Sequence, residues 1–345
     1  MFQDITIEQL LTRRTSGELT LIDVRSPSEY QENTIPGSLN IPIFDDAERA
    51  EIGTIYKQVS VEAAKDRGLE IVSAKLPTFI KTFAQIQGPK AVFCWRGGMR
   101  SKTTATVLDL MGIKASRLMG GVRAYRQWVV ATLDGLELPP AGYVINGNTG
   151  TGKTLILRRL QAEGYPVLDL EAMAGHRGSI FGHIGLHANN QKSFEALLVE
   201  QALMLQGSPY VLMEGESKRV GKAVLPDCVV RSKESGTQIF IELPLEERVR
   251  HILEDYQPMQ HKDELVQAFK HIKNRIHTPI AKEIEANLLI GQFERAVKLL
   301  LEHYYDPRYA HAMSQYEGEQ IVIHANTIEE AIEAVRAQLP KKNQR

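Results

Sequence analysis

Two short stretches carry residue types and spacings that imply chemistry. The first is Gly147-Asn148-Thr149-Gly150-Thr151-Gly152-Lys153-Thr154, which fits G-x-x-x-x-G-K-[ST] at every fixed position. Glycines let the backbone turn so that successive N–H groups converge on phosphate oxygens, and the helix that follows adds its N-terminal dipole. Lys153 is placed to reach the outer phosphates and Thr154 to hold Mg²⁺, so the loop reads as a polyphosphate cradle. The second stretch is Cys94-Trp95-Arg96-Gly97-Gly98-Met99-Arg100. A cysteine at the end of an apolar strand, with converging amides, a helix N-terminus and the guanidinium groups of Arg96 and Arg100 around it, is set to carry a thiolate, a persulfide or a perselenide. Cys228, among apolar residues in Leu225-Pro226-Asp227-Cys228-Val229, reads as packing.

A phosphate loop needs an acidic partner at the end of a later strand. The candidates are Asp169 in Pro166-Val167-Leu168-Asp169-Leu170-Glu171 and Glu214 in Tyr210-Val211-Leu212-Met213-Glu214, with Glu216 on the same face as Glu214 if the strand continues. Neither is a standard match, a departure that argues against plain ATP hydrolysis or phosphoryl transfer. The loop Ala174–Gly182 carries His176, Arg177 and Ser179 among three glycines, and Arg177 there could grip a phosphate with two parallel hydrogen bonds. The ten histidines show no zinc-ligand spacing.

The elements that must position these loops are those of an α/β protein. Thr20–Val24, Ala91–Phe93 and Lys114–Leu118 read as strands, with a helix over 101–110. Beyond Pro139-Pro140, strands are expected over 143–146, 166–169, 210–214, 238–243 and 320–324, a helix follows Lys153, and 245–311 reads as almost wholly helical. Thr327 and Glu330 have the spacing of a capping box before a last helix. The reading is therefore an N-terminal parallel-sheet domain over 1–138. A P-loop NTPase-like α/β domain over 139–345 follows, with a helical insertion around 245–311.

The chain has 345 residues, 43% hydrophobic and 24% charged, with 41 basic against 42 acidic side chains. That composition belongs to a folded protein and excludes a globally basic nucleic-acid binder, though not one with a local patch. Lys270, Lys273, Arg275 and Lys282, with His271 and His277, form one such candidate patch; Arg117, Arg123 and Arg126 form another. Two cysteines fit a reducing compartment, no apolar run is long enough to cross a membrane, and the first residues lack the layout of a signal peptide. A cytoplasmic enzyme, monomeric and without a tightly bound cofactor, is expected.

Leu21-Ile22-Asp23-Val24-Arg25, Ile35-Pro36-Gly37-Ser38-Leu39, the Cys94 loop and Met119-Gly120-Gly121-Val122-Arg123 together resemble a rhodanese domain, from about residue 5 to 135. The resemblance implies that Cys94 accepts a chalcogen atom and that Asp23 and Arg25 are structural. Asn33-Thr34 departs from the Gly-His common in rhodaneses. Rhodanese-like and P-loop sequences in one chain, with Ser101 completing the cysteine loop, resemble the bacterial tRNA 2-selenouridine synthases. That resemblance implies replacement of sulfur by selenium in the wobble 2-thiouridine of tRNAs for Lys, Glu and Gln. It further implies an S-geranyl intermediate from geranyl diphosphate, and selenophosphate as the selenium source. In this scheme the loop at 147–154 cradles the diphosphate and Cys94 carries selenium. Two rivals remain: a thiosulfate-type sulfurtransferase fused to a small-molecule kinase, to which Glu246-Glu247-Arg248-Val249-Arg250 is similar, and a nucleotide-gated redox sensor.

Overall fold

A computed structural model describes residues 2–15, 17, 19–313 and 319–340. The chain divides into two compact units, 1–135 and 136–345, a few residues ahead of the Pro139-Pro140 stop.

The first unit runs β1 (Gln3–Ile5), α1 (Ile7–Thr15), β2 (Thr20–Asp23), α2 (Pro27–Glu32), β3 (Leu39–Asn40), α3 (Asp46–Gln58), α4 (Val61–Gln85), β4 (Lys90–Phe93), α5 (Met99–Leu110), β5 (Ala115–Leu118) and α6 (Gly121–Asp134). Its five strands are all parallel in the order β1-β5-β4-β2-β3. All four residues of the central strand β4 are buried, which suits a parallel strand covered on both faces. Ile22, Val24, Val92, Phe83, Ala105 and Leu108 form the core, and Cys94 belongs to it. Asp23 and Arg25 are buried partners, with Arg25 Nη2 donating to Asp23 Oδ2 at 2.6 Å. The Asn33-Thr34 departure completes this cluster: Arg25 also donates to the Asn33 carbonyl, and the Thr34 hydroxyl donates to Asp23 Oδ2 at 2.9 Å.

The second unit runs β6 (Ala141–Gly147), α7 (Lys153–Ala162), β7 (Val167–Leu168), α8 (Leu170–Ala174), α9 (Gln191–Met204), β8 (Tyr210–Glu214), the hairpin β9 (Arg219–Val220) and β10 (Ala223–Val224), α10 (Asp227–Ser235) and β11 (Thr237–Glu242). A helical segment follows: α11 (Leu245–Tyr256), α12 (Lys262–Lys270), α13 (Thr278–Ile290), α14 (Phe293–Leu300), a π-helical turn Leu301–Tyr305 and α15 (Asp306–Met313). β12 (Gln320–His324) and α16 (Ile328–Gln338) close the unit. The parallel sheet has the order β12-β11-β6-β8-β7. Connections from β6 run first toward β7 and β8 and later to the other side, so the loop after β6 sits at the topological switch, where open α/β sheets bind ligands. The helical segment has its own core of Leu265, Phe269, Ile284, Leu288, Phe293 and Leu300, into which Phe181 and Ile184 also pack. Half of the expected capping box forms. Thr327 Oγ1 accepts from the Glu330 N–H at 3.2 Å, but the Glu330 carboxylate accepts from Asn326 N rather than from Thr327. No helix among the described residues is long and apolar enough to cross a membrane.

Candidate functional sites

In the first unit, Cys94 leaves the C-terminal end of β4 and its loop runs into α5. The sulfur is buried, 3% exposed, and its side-chain partner is the Ser101 hydroxyl at 3.2 Å. Ser101 lies in the first turn of α5, so a seven-residue step from Cys94 returns a hydroxyl to the sulfur. Residues 118–121 form the wall behind the loop. Val122 N–H donates to the Cys94 carbonyl and Arg123 N–H to that of Trp95, both at 3.0 Å. Gly121 has φ +56°, and a Cβ there would lie 1.9 Å from the Cys94 carbonyl oxygen, so only glycine permits this approach.

The arginines are arranged differently from the sequence expectation. Arg100 is paired with the Glu29 carboxylate, which Arg49 also approaches at 3.6 Å, while Glu29 Oε2 accepts from the Ser26 N–H at the start of α2. Arg100 thus pins α2 to α5 instead of facing the sulfur. Although half-buried, the Glu29 carboxyl is held below the usual carboxylate range: burial opposes its charge, and the Arg100 guanidinium outweighs that. Arg96 is exposed. Arg117 is also committed, donating to Asp4 Oδ2 at 2.6 Å and to the Gly97 carbonyl at 3.0 Å, where it braces the loop rather than offering itself to nucleic acid.

In the second unit, the loop Gly147–Thr154 joins β6 to α7 as expected. Lys153 Nζ donates to the Gly147 carbonyl at 2.9 Å and lies 5.9 Å from the centre of the Tyr309 ring. Burial works against its charge, but Tyr309 and the carboxylates of Glu216, Glu171 and Glu214 hold the ammonium above the ordinary lysine range. Asn148 Nδ2 donates to Asp306 Oδ1 at 3.3 Å. Gly150 is seated on α11: with φ +90°, a Cβ there would lie 2.8 Å from the Arg248 carbonyl. Arg248, buried, donates to the Thr149 carbonyl at 2.9 Å and makes two parallel bonds to Asp306 at 2.6 and 3.0 Å. It is therefore the brace of the phosphate loop, and it sits at the centre of the kinase-like stretch 246–250.

The acidic group nearest the loop's hydroxyl is one that the sequence reading passed over. Thr154 Oγ1 donates to Glu171 Oε2, while Glu171 N–H donates to Glu214 Oε1 at 2.6 Å. Asp169 instead caps α8, accepting from the Ala172 N–H at 2.8 Å, and approaches Arg158 at 3.3 Å. Glu214 is fully buried beside β6, and its Oε2 has no hydrogen-bond partner. Burial, and then the nearby charge of Glu216, pushes the Glu171 carboxyl up to about 8; burial, and then Asp169 and Glu171, raises Glu214 well above the usual range.

Lys153, Thr154, Glu171, His176, Glu216 and Tyr309 line a cavity of about 630 Å³ in front of the loop, as do Arg219 and Arg308. Tyr304, Tyr305, Arg308 and Tyr309 all reach it from the π-helical turn and the start of α15. A smaller apolar pocket of about 50 Å³, walled by Phe181, Leu265, Leu288, Phe293 and Leu300, shares Thr149, Ser179, Ile252, Tyr256 and Tyr305 with the cavity. Arg177 reaches the cavity wall, but its head is spent on Asp255 at 2.7 Å and on the Ile184 carbonyl at 2.8 Å, stacked 4.6 Å from the Tyr256 ring. It shapes the wall and is not the free phosphate clamp its loop suggests. Of the other candidate patch, Lys273 is paired with Glu285 at 2.6 Å and Lys270 with Gln267 at 3.2 Å, leaving Arg275 and Lys282 exposed. Cys228 is half-buried in α10, and burial pushes its thiol up.

Family models agree with this division. Residues 141–342 match the tRNA 2-selenouridine synthase AAA domain, and residues 6–127 match the rhodanese-like domain. The tRNA 2-selenouridine synthase of Nitrosomonas europaea is 34% identical over 86% of this chain and 79% of its own length. That of Photobacterium profundum is 28% identical over 90% of this chain and 93% of its own. The chain belongs to the tRNA 2-selenouridine synthase family. Among solved structures, the N-terminal domain of a putative ATP/GTP binding protein from Clostridium difficile 630 is 34% identical, with a TM-score of 0.35, over 37% of this chain and 99% of that one. A human single-domain sulfurtransferase is 25% identical, with a TM-score of 0.23, over 38% and 97%.

Proposed function

We propose that this protein replaces sulfur by selenium in the wobble 2-thiouridine of tRNAs for Lys, Glu and Gln, alkylating the sulfur with a geranyl group before selenium enters. The observation that carries this reading is the shared wall between the phosphate cradle and the apolar pocket beside it. An allylic diphosphate needs both surfaces at once: amides and Lys153 for its phosphates, and hydrocarbon side chains for its tail. A geranyl chain is larger than the pocket, so the reading requires the wall of Tyr256 and Tyr305 to give way as the chain enters.

In the first step the C–O bond of geranyl diphosphate breaks, the uridine sulfur bonds to the allylic carbon as the N3 proton of the base is released to water, and diphosphate leaves into the loop. Lys153 and the loop amides stabilise the charge that builds on it. Alkylation turns a poor leaving group into a thiol that can depart from C2. In the second step the selenide-level selenium of selenophosphate bonds to C2, and the geranyl thiol departs carrying a proton. Water cleaves the Se–P bond to leave phosphate. Cys94, its sulfur held in position by Ser101, holds the selenium donor at that exchange. Magnesium fits the first site: Thr154 and Glu171 supply hard oxygen donors beside the phosphates, with the unpartnered Glu214 oxygen behind them. Its chemistry there would be to neutralise diphosphate charge.

Nucleoside mass spectrometry of 2-thiouridine tRNA, incubated with the protein, geranyl diphosphate and selenophosphate, tests the scheme. Geranylated and then selenated uridine is the expected result. Unchanged tRNA with turnover of ATP or thiosulfate would replace this reading with the sulfurtransferase–kinase.

A further inference from the structure

The rim of the Cys94 loop has a composition that holding a sulfur does not require. Trp95, Met99 and Met119 are 38%, 61% and 47% exposed. Trp95 directly follows Cys94, Met99 closes the same loop, and Met119 belongs to the wall against which Gly97 packs, where a Cβ would lie 2.9 Å from the Leu118 carbonyl and from the Gly120 nitrogen. The chain's other tryptophan, Trp128, is half-buried, its ring 5.5 Å from that of Tyr125. Two cations sit among these apolar groups. Arg96 follows Trp95 in the loop, and Arg123 is tied to it by the backbone bond to the Trp95 carbonyl. Both side chains are exposed, and neither pairs with a carboxylate among the described residues. The acidic groups of this region are already taken: Glu29 by Arg100 and Arg49, Asp4 by Arg117. The rim is thus apolar and aromatic at its centre and uncompensated in positive charge at its edge.

That pairing is the recognition surface of single-stranded nucleic acid, in which an aromatic face takes an unstacked base and cations take the flanking phosphates. We propose that this rim docks an RNA loop, with Trp95 stacking the target base over Cys94 and with Arg96 and Arg123 holding the phosphates on either side. The inference rests on the tRNA reading above and deepens it by assigning the surface that delivers the base to the sulfur. A base is inside a stem or a stacked loop until something removes it, and a face beside the reactive atom supplies the compensating contact.

The test uses the full chain and a fluorescent anticodon stem-loop bearing 2-thiouridine at the wobble position, with binding read by anisotropy at several salt concentrations. Trp95→Leu is expected to weaken binding about tenfold, and Trp95→Phe to keep it within a few-fold of wild type. Arg96→Gln and Arg123→Gln are each expected to reduce the slope of log affinity against log salt by just under one. Wild-type affinity in Trp95→Leu, or an unchanged slope in both arginine variants, overturns the assignment. Thermal melting of each variant separates lost docking from lost folding, and Trp95→Phe, which keeps the ring, must bind if stacking is the cause. A wild-type protein that binds no stem-loop at all overturns the tRNA reading itself. Binding that ignores Trp95 overturns only the docking surface.

Discussion

The Cys94 loop and the loop at 147–154 are the same device used in opposite ways. Each leaves the C-terminal end of a parallel strand, turns through glycines and enters a helix. In the first, the proposed reactive atom belongs to the protein, and two of the cations near it are tied off. Arg100 is held on Glu29, and Arg117 on Asp4 and the Gly97 carbonyl, while Arg96 and Arg123 stay exposed at the rim. The sulfur's own partner is a neutral hydroxyl. In the second, no protein atom is poised to react, and the titratable groups face the cavity: Lys153, Glu171 and Glu216 line it, with Glu214 buried behind. On the proposed reading, the loop that serves a sulfur is built for placement, while the loop proposed to take a diphosphate gathers titratable groups around an open cavity.

That contrast can be broken at several points, starting with the largest effect. Cys94→Ser should abolish selenation and leave geranylation intact, as measured by nucleoside mass spectrometry with each donor supplied alone. Loss of both would mean that the two loops do not divide the work. Lys153→Ala should lower geranylation by roughly 10²–10³-fold, while tRNA supplied already geranylated is still selenated. Arg248→Ala removes the brace from Thr149 and leaves Asp306 without its partner. It should destabilise the second unit by roughly 3 kcal/mol, seen as an earlier unfolding transition, with alkylation of Cys94 by iodoacetamide unchanged. Ser101→Ala removes one hydrogen bond of about 1 kcal/mol and should slow selenation about fivefold, with geranylation unaffected.

The smallest effect concerns pH. Glu171 titrates at about 8 in the folded protein against 4.5 when unfolded, because burial and Glu216 disfavour its charge. Between those values the folded state holds the extra proton, so stability is full below about 4.5 and falls as pH rises toward about 8. Glu171→Gln should flatten this slope and raise the melting temperature at pH 8 by a few degrees. A variant that melts earlier than wild type at pH 8 would show that the carboxylate is needed even when charged.

What was legible in the sequence follows from how local each feature is. The two loops could be read because their chemistry lies within eight consecutive residues and because both are framed by apolar strands. The edge strands β1 and β3, three and two residues long, carry too little pattern to be seen, and α3 and α4 offered no motif. Arg100 and Arg177 were assigned to ligands because an arginine beside a functional loop looks available. Their carboxylates, Glu29 and Asp255, come from elements 71 and 78 residues away, and only folding brings them together. Glu171 and Arg248 were missed for the same reason from the other side. A carboxylate on Thr154 and a guanidinium on the Thr149 carbonyl are tertiary contacts with no local spacing to announce them. Ser101, part of the cysteine-loop motif, could be read because a seven-residue step from Cys94 crosses the loop and lands on the first turn of the next helix.

The π-helical turn at Leu301–Tyr305 has a consequence for how this chain can change. A regular helix turns about 100° per residue, so neighbouring side chains point in different directions. The wider turn lets Tyr304 and Tyr305 face the cavity together with Arg308 and Tyr309 on the next element. Deleting one residue from it would close the segment into an ordinary helix and take from Tyr304 and Tyr305 their shared outlook on the cavity. The length of this segment, and not only its residue types, is therefore part of what the cavity wall requires.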